Sequence, residues 1–274
     1  MYNAHKKLKY TIMENQIQNT KQQIIDIFVK NVKGKPIIVN KQHCGGEGHW
    51  LEKKMGIKPN NKNEPDLLGY EMKKFSKKIT FGDFSATEYL FSKEKSNINS
   101  TNNWNNQTNE ITRNQFIHYF GTPKAQKGNR YSWSGACVPT YNVWNNCGQM
   151  LTISENNDIC IYYSYEKDER ETKNTLPEFL KNNNILIVIW KREKMEQHIN
   201  KKFNKNGLFI CEKINNKYEK IHFGKPFNFE YFINNIKNKN IIFDSGLYEG
   251  NNRNYSQFRS TTSNFWNLLV DEII

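Results

Sequence analysis

The amino-acid sequence predicts a mixed α/β (α+β) fold, in which helices flank a central sheet of mixed strand direction. Three observations predict it. Two stretches read as antiparallel hairpins, 148–166 turning at Asn156-Asn157 and 208–223 turning at Asn215-Asn216. Asparagine tolerates the left-handed backbone that tight hairpin turns require. The apolar run ILIVIW, 185–190, has the length and branched content of a buried strand. Helical patterns are interspersed among these strands, which excludes a purely parallel sheet.

Taken in order, residues 14–32 place Ile17, Ile24, Ile25 and Phe28 on one helical face, and Gly34 and Pro36 end that helix. PIIVNK, 36–41, reads as a short strand. In CGGEGHWLEKKMGIKPN the glycines lead into a short helix around 47–55, closed by Gly56. Leu51 and Met55 share one face of it, and His49 and Glu52 a neighbouring face. The segment 64–74, EPDLLGYEMKK, and the segment 79–92 are strand candidates, and the Asn-rich residues 95–110 form a loop. Residues 111–120 read as a helix, 191–203 as a basic helix and 227–239 as an amphipathic helix. Residues 241–248 read as a strand, 249–260 as a polar loop and 264–273 as the last helix. No internal repeat is found.

The net charge of +13 points to a polyanionic partner, DNA or RNA. Part of the lysine belongs with the Lys, Asn and Ile richness expected of an AT-rich genome. The six arginines are therefore the more informative cations. No run of about 18 apolar residues predicts a membrane span, and the N-terminus has no continuous apolar stretch of the secretory kind. Cys44, Cys137, Cys147, Cys160 and Cys211 form no CxxC pair. They read as small buried residues of a reducing compartment, the cytoplasm.

The chemistry is concentrated in 64–74. Pro65 cannot donate to a ladder, so a strand can start there but not contain it. In an extended segment Glu71 and Lys73 point to one face and Tyr70 and Met72 to the other. Asp66 enters from the strand's beginning, across Gly69, which allows a bend. Two converging carboxylates, with the Met72 carbonyl, make an oxygen site for Mg²⁺, for which Mn²⁺ can substitute. Lys73 would hold or help deprotonate the attacking water and offset charge on a phosphate. Glu52, on the helix just before, offers a third carboxylate. The same spacing also arises by chance on a solvated strand whose acids balance neighbouring lysines.

With GGEGHWLEKKMGI leading into PDLLGYEMK, the sequence resembles the active-site region of MvaI/BcnI-type restriction endonucleases, which are similar in turn to MutH-type nicking enzymes of the PD-(D/E)xK superfamily. The motif covers roughly 45–75, and the later elements follow more loosely. The resemblance implies a PD-(D/E)xK nuclease-like central mixed sheet flanked by helices, and two lobes around a DNA cleft. The division it implies is 1–125 as catalytic lobe, with its sheet open to completion by later strands, and 126–274 as DNA-recognition lobe. By position, Asp66 and Glu71 would bind metal, Lys73 would be the catalytic lysine and Glu52 the helix glutamate. Met72 departs from the smaller aliphatic residue often found there, and the chain is somewhat longer than the family pattern.

For DNA contact, GNNRNYSQFRS gathers Arg253, Asn254, Tyr255, Gln257 and Arg259. Arginine suits guanine O6 and N7, and Asn or Gln suits adenine. Arg130, in an aromatic-rich stretch at 130–148, and Lys74, beside the motif, complete the candidates; ordinary surface or core roles remain open for all of them. The reading is a Type II restriction endonuclease, a site-specific deoxyribonuclease hydrolysing phosphodiester bonds of double-stranded DNA at a short sequence. It is expected to act as a monomer and to be paired with a cognate DNA methyltransferase. The alternatives are a MutH-like nicking or repair endonuclease, and a non-catalytic sequence-specific DNA-binding protein.

Overall fold

The computed structural model describes residues 2–38, 46–58, 63–91 and 111–273. The helices are α1 (Tyr2–Asn31), α2 (Gly46–Lys54), α3 (Arg113–Phe120), α4 (Arg192–Phe203), α5 (Phe229–Lys237) and α6 (Thr262–Leu269). The first strands are β1 (Glu71–Lys74), β2 (Lys78–Asp83), β3 (Glu88–Tyr89), β4 (Thr122–Lys124), β5 (Arg130–Trp133), β6 (Cys147–Ile153), β7 (Ile159–Asp168) and β8 (Ile185–Trp190). The later strands are β9 (Leu208–Ile214), β10 (Lys217–Gly224), β11 (Ile242–Ser245), β12 (Leu247–Tyr248), β13 (Ser256–Thr261) and β14 (Val270–Ile273). None of the described helices is long and apolar enough to cross a membrane. The four described cysteines are buried and free, and Cys44 lies outside the described residues.

The chain forms two compact units, and each is assembled from separated stretches. The first contains Met1–Ile79, His198–Asn228 and Thr262–Ile274; the second contains Thr80–Gln197 and Phe229–Thr261. This differs from a consecutive division at 125/126. Strand pairing is the reason: β1 is joined by strands more than 130 residues further along the chain, so the first sheet is completed by β9, β10 and β14.

In the first unit the sheet order is β1-β9-β10-β14. β1 runs parallel to β9, and the remaining pairs are antiparallel. The β9–β10 hairpin turns at Asn215 and Asn216, both at positive φ (49° and 62°), as the turn chemistry predicts. Alternation along the strands separates two faces. Met72, Phe209, Cys211, Ile221 and Phe223 meet Ile24 and Phe28 of α1, Val32 just after it, Leu51 of α2 and Met55 just after that helix in one buried cluster. Glu71 and Lys73 point to the opposite face. So do their register partners Leu208 and Ile210, and His222 beyond Ile210.

The second unit holds three sheets, ordered β3-β8-β7-β6, β12-β5-β4 and β11-β13-β2. Its core is aromatic: Trp190 lies within 5.0 Å of Phe243 and 5.5 Å of Phe258, and Trp133 within 5.6 Å of Phe243. Both indoles have hydrogen-bond partners, Trp190 donating to the Phe84 carbonyl and Trp133 to Gln149 Oε1, which removes the cost of burying an N–H. The β6–β7 hairpin turns with Asn157 at φ 62°, and ILIVIW is the strand β8.

Several elements differ from expectation. Residues 36–38 are not a strand, and 39–41 lie outside the described residues, as does the 95–110 segment. The 79–92 candidate divides into β2 and β3, since 84–87 leave the ladder. The polar stretch 249–260 is a loop only as far as Tyr255, because Ser256–Thr261 pairs with β11. The last helix stops at Leu269, where the chain enters β14 and pairs with β10.

One buried polar knot holds α3 to the β6–β7 hairpin. Asp168 is fully buried and accepts from Tyr163 Oη (2.9 Å) and from the Arg170 amide (3.0 Å), Nε (2.9 Å) and Nη2 (2.6 Å). Arg170 then donates to the Tyr119 and Gly121 carbonyls at the end of α3 (2.9 and 2.8 Å), satisfying helix-terminal acceptors. Removing one partner of a buried ion pair leaves an uncompensated charge. Asp168→Ala is expected to lower stability by about 3–5 kcal/mol, measured by urea unfolding; a loss below about 1 kcal/mol would show that the knot is not a structural fastening.

Candidate active site

The segment Pro65–Lys74 folds back on itself before it becomes a strand. Leu67 and Tyr70 exchange backbone hydrogen bonds at 3.0 and 2.8 Å. Between them Leu68 and Gly69 both have positive φ, 49° and 84°. That is the geometry of a two-residue hairpin turn with left-handed central residues. Gly69 also has no room for a side chain, since a Cβ there would stand 2.7 Å from Asn206 Nδ2. Leu68 takes the left-handed position without glycine's freedom and is 41% exposed, whereas Tyr70 and Met72 are buried. The turn returns the chain so that Asp66 lies beside β1, its Oδ2 accepting from the Met72 amide at 2.9 Å.

β1 is the edge of its sheet among the described residues. The Glu71 amide donates inward to Gly207 O (3.0 Å). Backbone groups of successive strand residues point to opposite sides, so the Met72 amide and carbonyl both face the open edge, where Asp66 sits. Glu71 and Lys73 project from one face of the strand, and Lys73 Nζ is 2.8 Å from Glu71 Oε1. A second ammonium, Lys202 Nζ from α4, reaches the same oxygen at 3.0 Å. Glu71 Oε2 is buried and accepts no hydrogen bond.

This set fits a divalent cation. A buried carboxylate oxygen with no donor, a second carboxylate and a backbone carbonyl on the same open edge form a hard-oxygen donor set of the kind Mg²⁺ takes. Burial, and then the charge of Glu71, push Asp66 from an ordinary 3.8 up to about 6. Burial holds Lys73 below the usual lysine range, with the neighbouring Lys202 acting in the same direction and Glu71 against it.

The residues from α4 into β9 hold the motif along its length. Asn63 Nδ2 donates to His198 O (3.0 Å), Lys201 pairs with Glu64 (3.1 Å), and Asn206 Nδ2 donates to Leu68 O (3.0 Å). These partners lie 135 to 138 residues from the motif, so no local pattern could reveal them. The basic character of α4 was visible in the sequence; which of its lysines points inward was not.

Glu52 is not brought into the carboxylate pair. Among the described residues no three His, Cys, Asp or Glu side chains gather as a metal cluster. α2 packs through Leu51, with Met55 just after the helix, on the Met72 face, opposite Glu71 and Lys73. The α2 acid that does reach the sheet is Glu47, which accepts from Tyr218 Oη (2.9 Å) and pairs with Lys213 (3.1 Å) and Lys74 (3.1 Å). Lys74 is thereby occupied in holding α2 to β1. His49 is exposed on the outer side of α2.

Comparison with known proteins places this geometry. The family model of the LlaMI restriction endonuclease matches residues 30–274. The chain belongs to that family. A curated relative, the Type II restriction enzyme ScrFI of Lactococcus lactis subsp. cremoris, is 39% identical over 269 residues, covering 92% of this chain and 97% of its own. Among solved structures, the restriction endonuclease MvaI in complex with cognate DNA matches with a TM-score of 0.52 and 14% identity over 96% of each chain, a likeness of fold. The MvaI-type architecture expected from the motif is thus the architecture found.

For a restriction endonuclease the arginines of the second unit are the groups to inspect, and most are partly engaged. Arg259 bonds Thr80 Oγ1 (3.0 Å) and Asp244 Oδ2 (2.9 Å), fastening the β11-β13-β2 sheet. Gln257 lies within β13, opposite Asp244. Arg253 pairs with Asp83 (2.8 Å) and lies over the Tyr255 ring (4.6 Å), yet its side chain is 63% exposed. Asn254 Oδ1 accepts from Arg113 Nε (2.7 Å). Arg113 also donates to the Tyr248 and Arg253 carbonyls (3.2 and 3.0 Å). It is the latch of this loop and carried no local signal in the sequence. The Arg130 guanidinium carbon lies over the Tyr248 ring, 3.8 Å from its centroid.

The raised Asp66 titration has a consequence for the metal-free protein. A carboxyl whose folded value exceeds its unfolded value binds more protons when folded, so stability falls as pH rises from about 3.8 through about 6. The cost above that window is on the order of 3 kcal/mol. Asp66→Asn is expected to gain roughly that amount at pH 8 without divalent metal, and to lose this part of the slope between pH 4 and 6. Urea unfolding across pH checks this; identical pH profiles for the two proteins would refute it.

Proposed function

We propose that this enzyme is a Type II restriction endonuclease that hydrolyses phosphodiester bonds of double-stranded DNA at a short specific sequence, with Mg²⁺ as cofactor and Mn²⁺ as a substitute. The observation that carries the reading is the buried, donor-less Glu71 Oε2 beside Asp66 and Lys73, in a chain of this family. Asp66, Glu71 and the Met72 carbonyl would hold the cation. The bound cation would supply Lewis-acid stabilisation of charge developing on the phosphate oxygens. Lys73, held by Glu71, would orient the attacking water, and in its neutral amine form, which burial favours, would take the water's proton as the water oxygen bonds to phosphorus and the P–O bond to the leaving oxygen breaks. Glu52, carried over by the resemblance as a fourth catalytic residue, would act from α2 on the far face, as a support of the strand rather than as a ligand.

DNA contact in this reading falls to the second unit. Arg253, Asn254, Tyr255 and Arg130 present side chains at its surface, while Arg259 and Gln257 support the strand beneath. Lys74 would contribute to DNA contact only by leaving Glu47. The relative's name, a Type II restriction enzyme, and the complex of the fold neighbour with cognate DNA support double-stranded DNA as substrate. A cognate methyltransferase partner, action as a monomer and a cytoplasmic location complete the proposal.

Removing a cation ligand or the lysine forfeits several kcal/mol of transition-state stabilisation, so Asp66→Ala and Lys73→Ala are each expected to slow cleavage about a thousandfold or more. The measurement is digestion of a sequenced phage DNA with Mg²⁺, followed by sequencing of fragment ends. Discrete ends give activity, site and cut position together; full activity in either variant would remove the catalytic assignment, and a stable nicked plasmid product would favour the MutH-like alternative.

Arg253→Ala separates the reading loop from the fastening. It is expected to weaken binding to cleavable duplex by about 1–3 kcal/mol with little loss of stability. Gel-shift titration with melting controls checks this, and unchanged affinity would exclude Arg253 as a DNA contact.

A further inference from the structure

Glu71 has more positive charge than it needs. One ammonium neutralises one carboxylate, yet Lys73 and Lys202 meet at the same Oε1, at 2.8 and 3.0 Å, while Oε2 has no donor. Lys202 is also unlike the lysine next to it. Its side chain is 18% exposed and turned inward, whereas Lys201, paired with Glu64, is 57% exposed. The backbone that carries Lys202 is fastened on both sides. His198 O accepts from Asn63 (3.0 Å), and buried Phe203 stacks on Phe227 at 4.6 Å. The four flexible methylenes of Lys202 can therefore swing its ammonium while the backbone stays fixed.

Charge counting says when they would. The ionised carboxylates of Asp66 and Glu71 balance the ammoniums of Lys73 and Lys202. A divalent cation at the carboxylates makes the pocket positive, and the cation and Lys202 then compete for Glu71. A DNA phosphate brought to the cation is the nearest unpaired anion, and an ammonium released from Glu71 is best satisfied there.

We propose that Lys202 is a second substrate-handling lysine of the active site, holding Glu71 while no cation is bound and contacting the scissile phosphate once DNA and cation are in place. The proposal rests on the function given above. It assigns to α4 a catalytic residue that lies outside the motif, and it makes the empty-state ion pair a placeholder rather than a permanent fastening.

The test compares wild type with Lys202→Met, which keeps most of the apolar stem, and Lys202→Arg, which keeps the charge. Three quantities are read: Mn²⁺ affinity by calorimetry without DNA, the salt dependence of binding to a duplex the wild type cleaves, and the single-turnover cleavage rate in Mg²⁺. Removing a repelling ammonium from the cation's neighbourhood should tighten Mn²⁺ binding by about tenfold. Losing one phosphate contact should reduce the slope of log K against log salt by about 0.9. Cleavage by Lys202→Met should fall by about a hundredfold, with Lys202→Arg keeping the wild-type slope. A purely structural ion pair predicts a lower melting temperature with an unchanged slope and no gain in Mn²⁺ affinity, and that result in Lys202→Met would overturn the proposal. Should Lys202→Met not fold, Lys202→Gln takes its place, and an unchanged salt slope with unchanged Mn²⁺ affinity in that folded variant would overturn the proposal. Wild type that neither cleaves DNA nor loses Mn²⁺ affinity on Asp66→Ala would instead bring down the proposed function, and this inference with it.

Discussion

A buried glutamate shared by two ammonium groups is the interaction around which the first unit is arranged. Glu71 lies 3% exposed on the edge strand of a sheet, with Lys73 and Lys202 both on its Oε1. Burying an ion costs several kcal/mol and is offset only by excellent geometry. That requirement explains features otherwise unrelated. β9 must run beside β1 to receive the Glu71 amide, α4 must end where Lys202 can reach, and the Leu67–Tyr70 turn must fold Asp66 back onto the Met72 amide.

The hydrophobic work is done on the other face. Because side chains alternate, the strand that exposes two charges to one side offers Met72 to α1 and α2 on the other. The 39–45 and 59–62 stretches lie outside the described residues, yet α2 is held firmly, by Leu51 and Met55 in the core and by Glu47 gripping Lys74, Lys213 and Tyr218. The same alternation sets α2, packed on the Met72 face, on the side opposite the Glu71 and Lys73 side chains.

How much of this was legible in the sequence follows from the range of each interaction. Asp66, Glu71 and Lys73 were readable because Pro65, Gly69 and strand alternation are local rules acting within ten residues. Both Asn-Asn hairpins and the strand β8 were readable for the same reason. Lys202, Arg113 and Glu47 were not, since each acquires a partner through tertiary contacts across more than 120 residues. The strands β13 and β14 were hidden differently: SQFRST and VDEI are too short and polar to outweigh the loop and helix patterns beside them, and pairing with β11 and β10 decides their conformation. The polar loop was legible as a cluster of hydrogen-bonding side chains. That Arg259 is consumed by Asp244 and Thr80 is a property of the sheet.

The arrangement also says why the site would be unstable alone. Asp66 and Glu71 repel one another in a poorly solvated place, which is part of why Asp66 is pushed up to about 6. Glu71 Oε2 is buried without a donor. Both are unfavourable in the metal-free protein, and neither is relieved by moving nearby backbone, which the turn and the α4–β9 segment hold in place. A ligand that binds the folded state only adds stability in proportion to its occupancy, so a divalent cation at these oxygens would remove the repulsion and the unsatisfied oxygen at once. The fold therefore places these unfavourable terms in the side chains that meet the cation, beside a buried aromatic core in the second unit and the buried Met72-face cluster in the first. Concentrating the unfavourable terms in a few side chains lets a site of this kind stay assembled before substrate arrives.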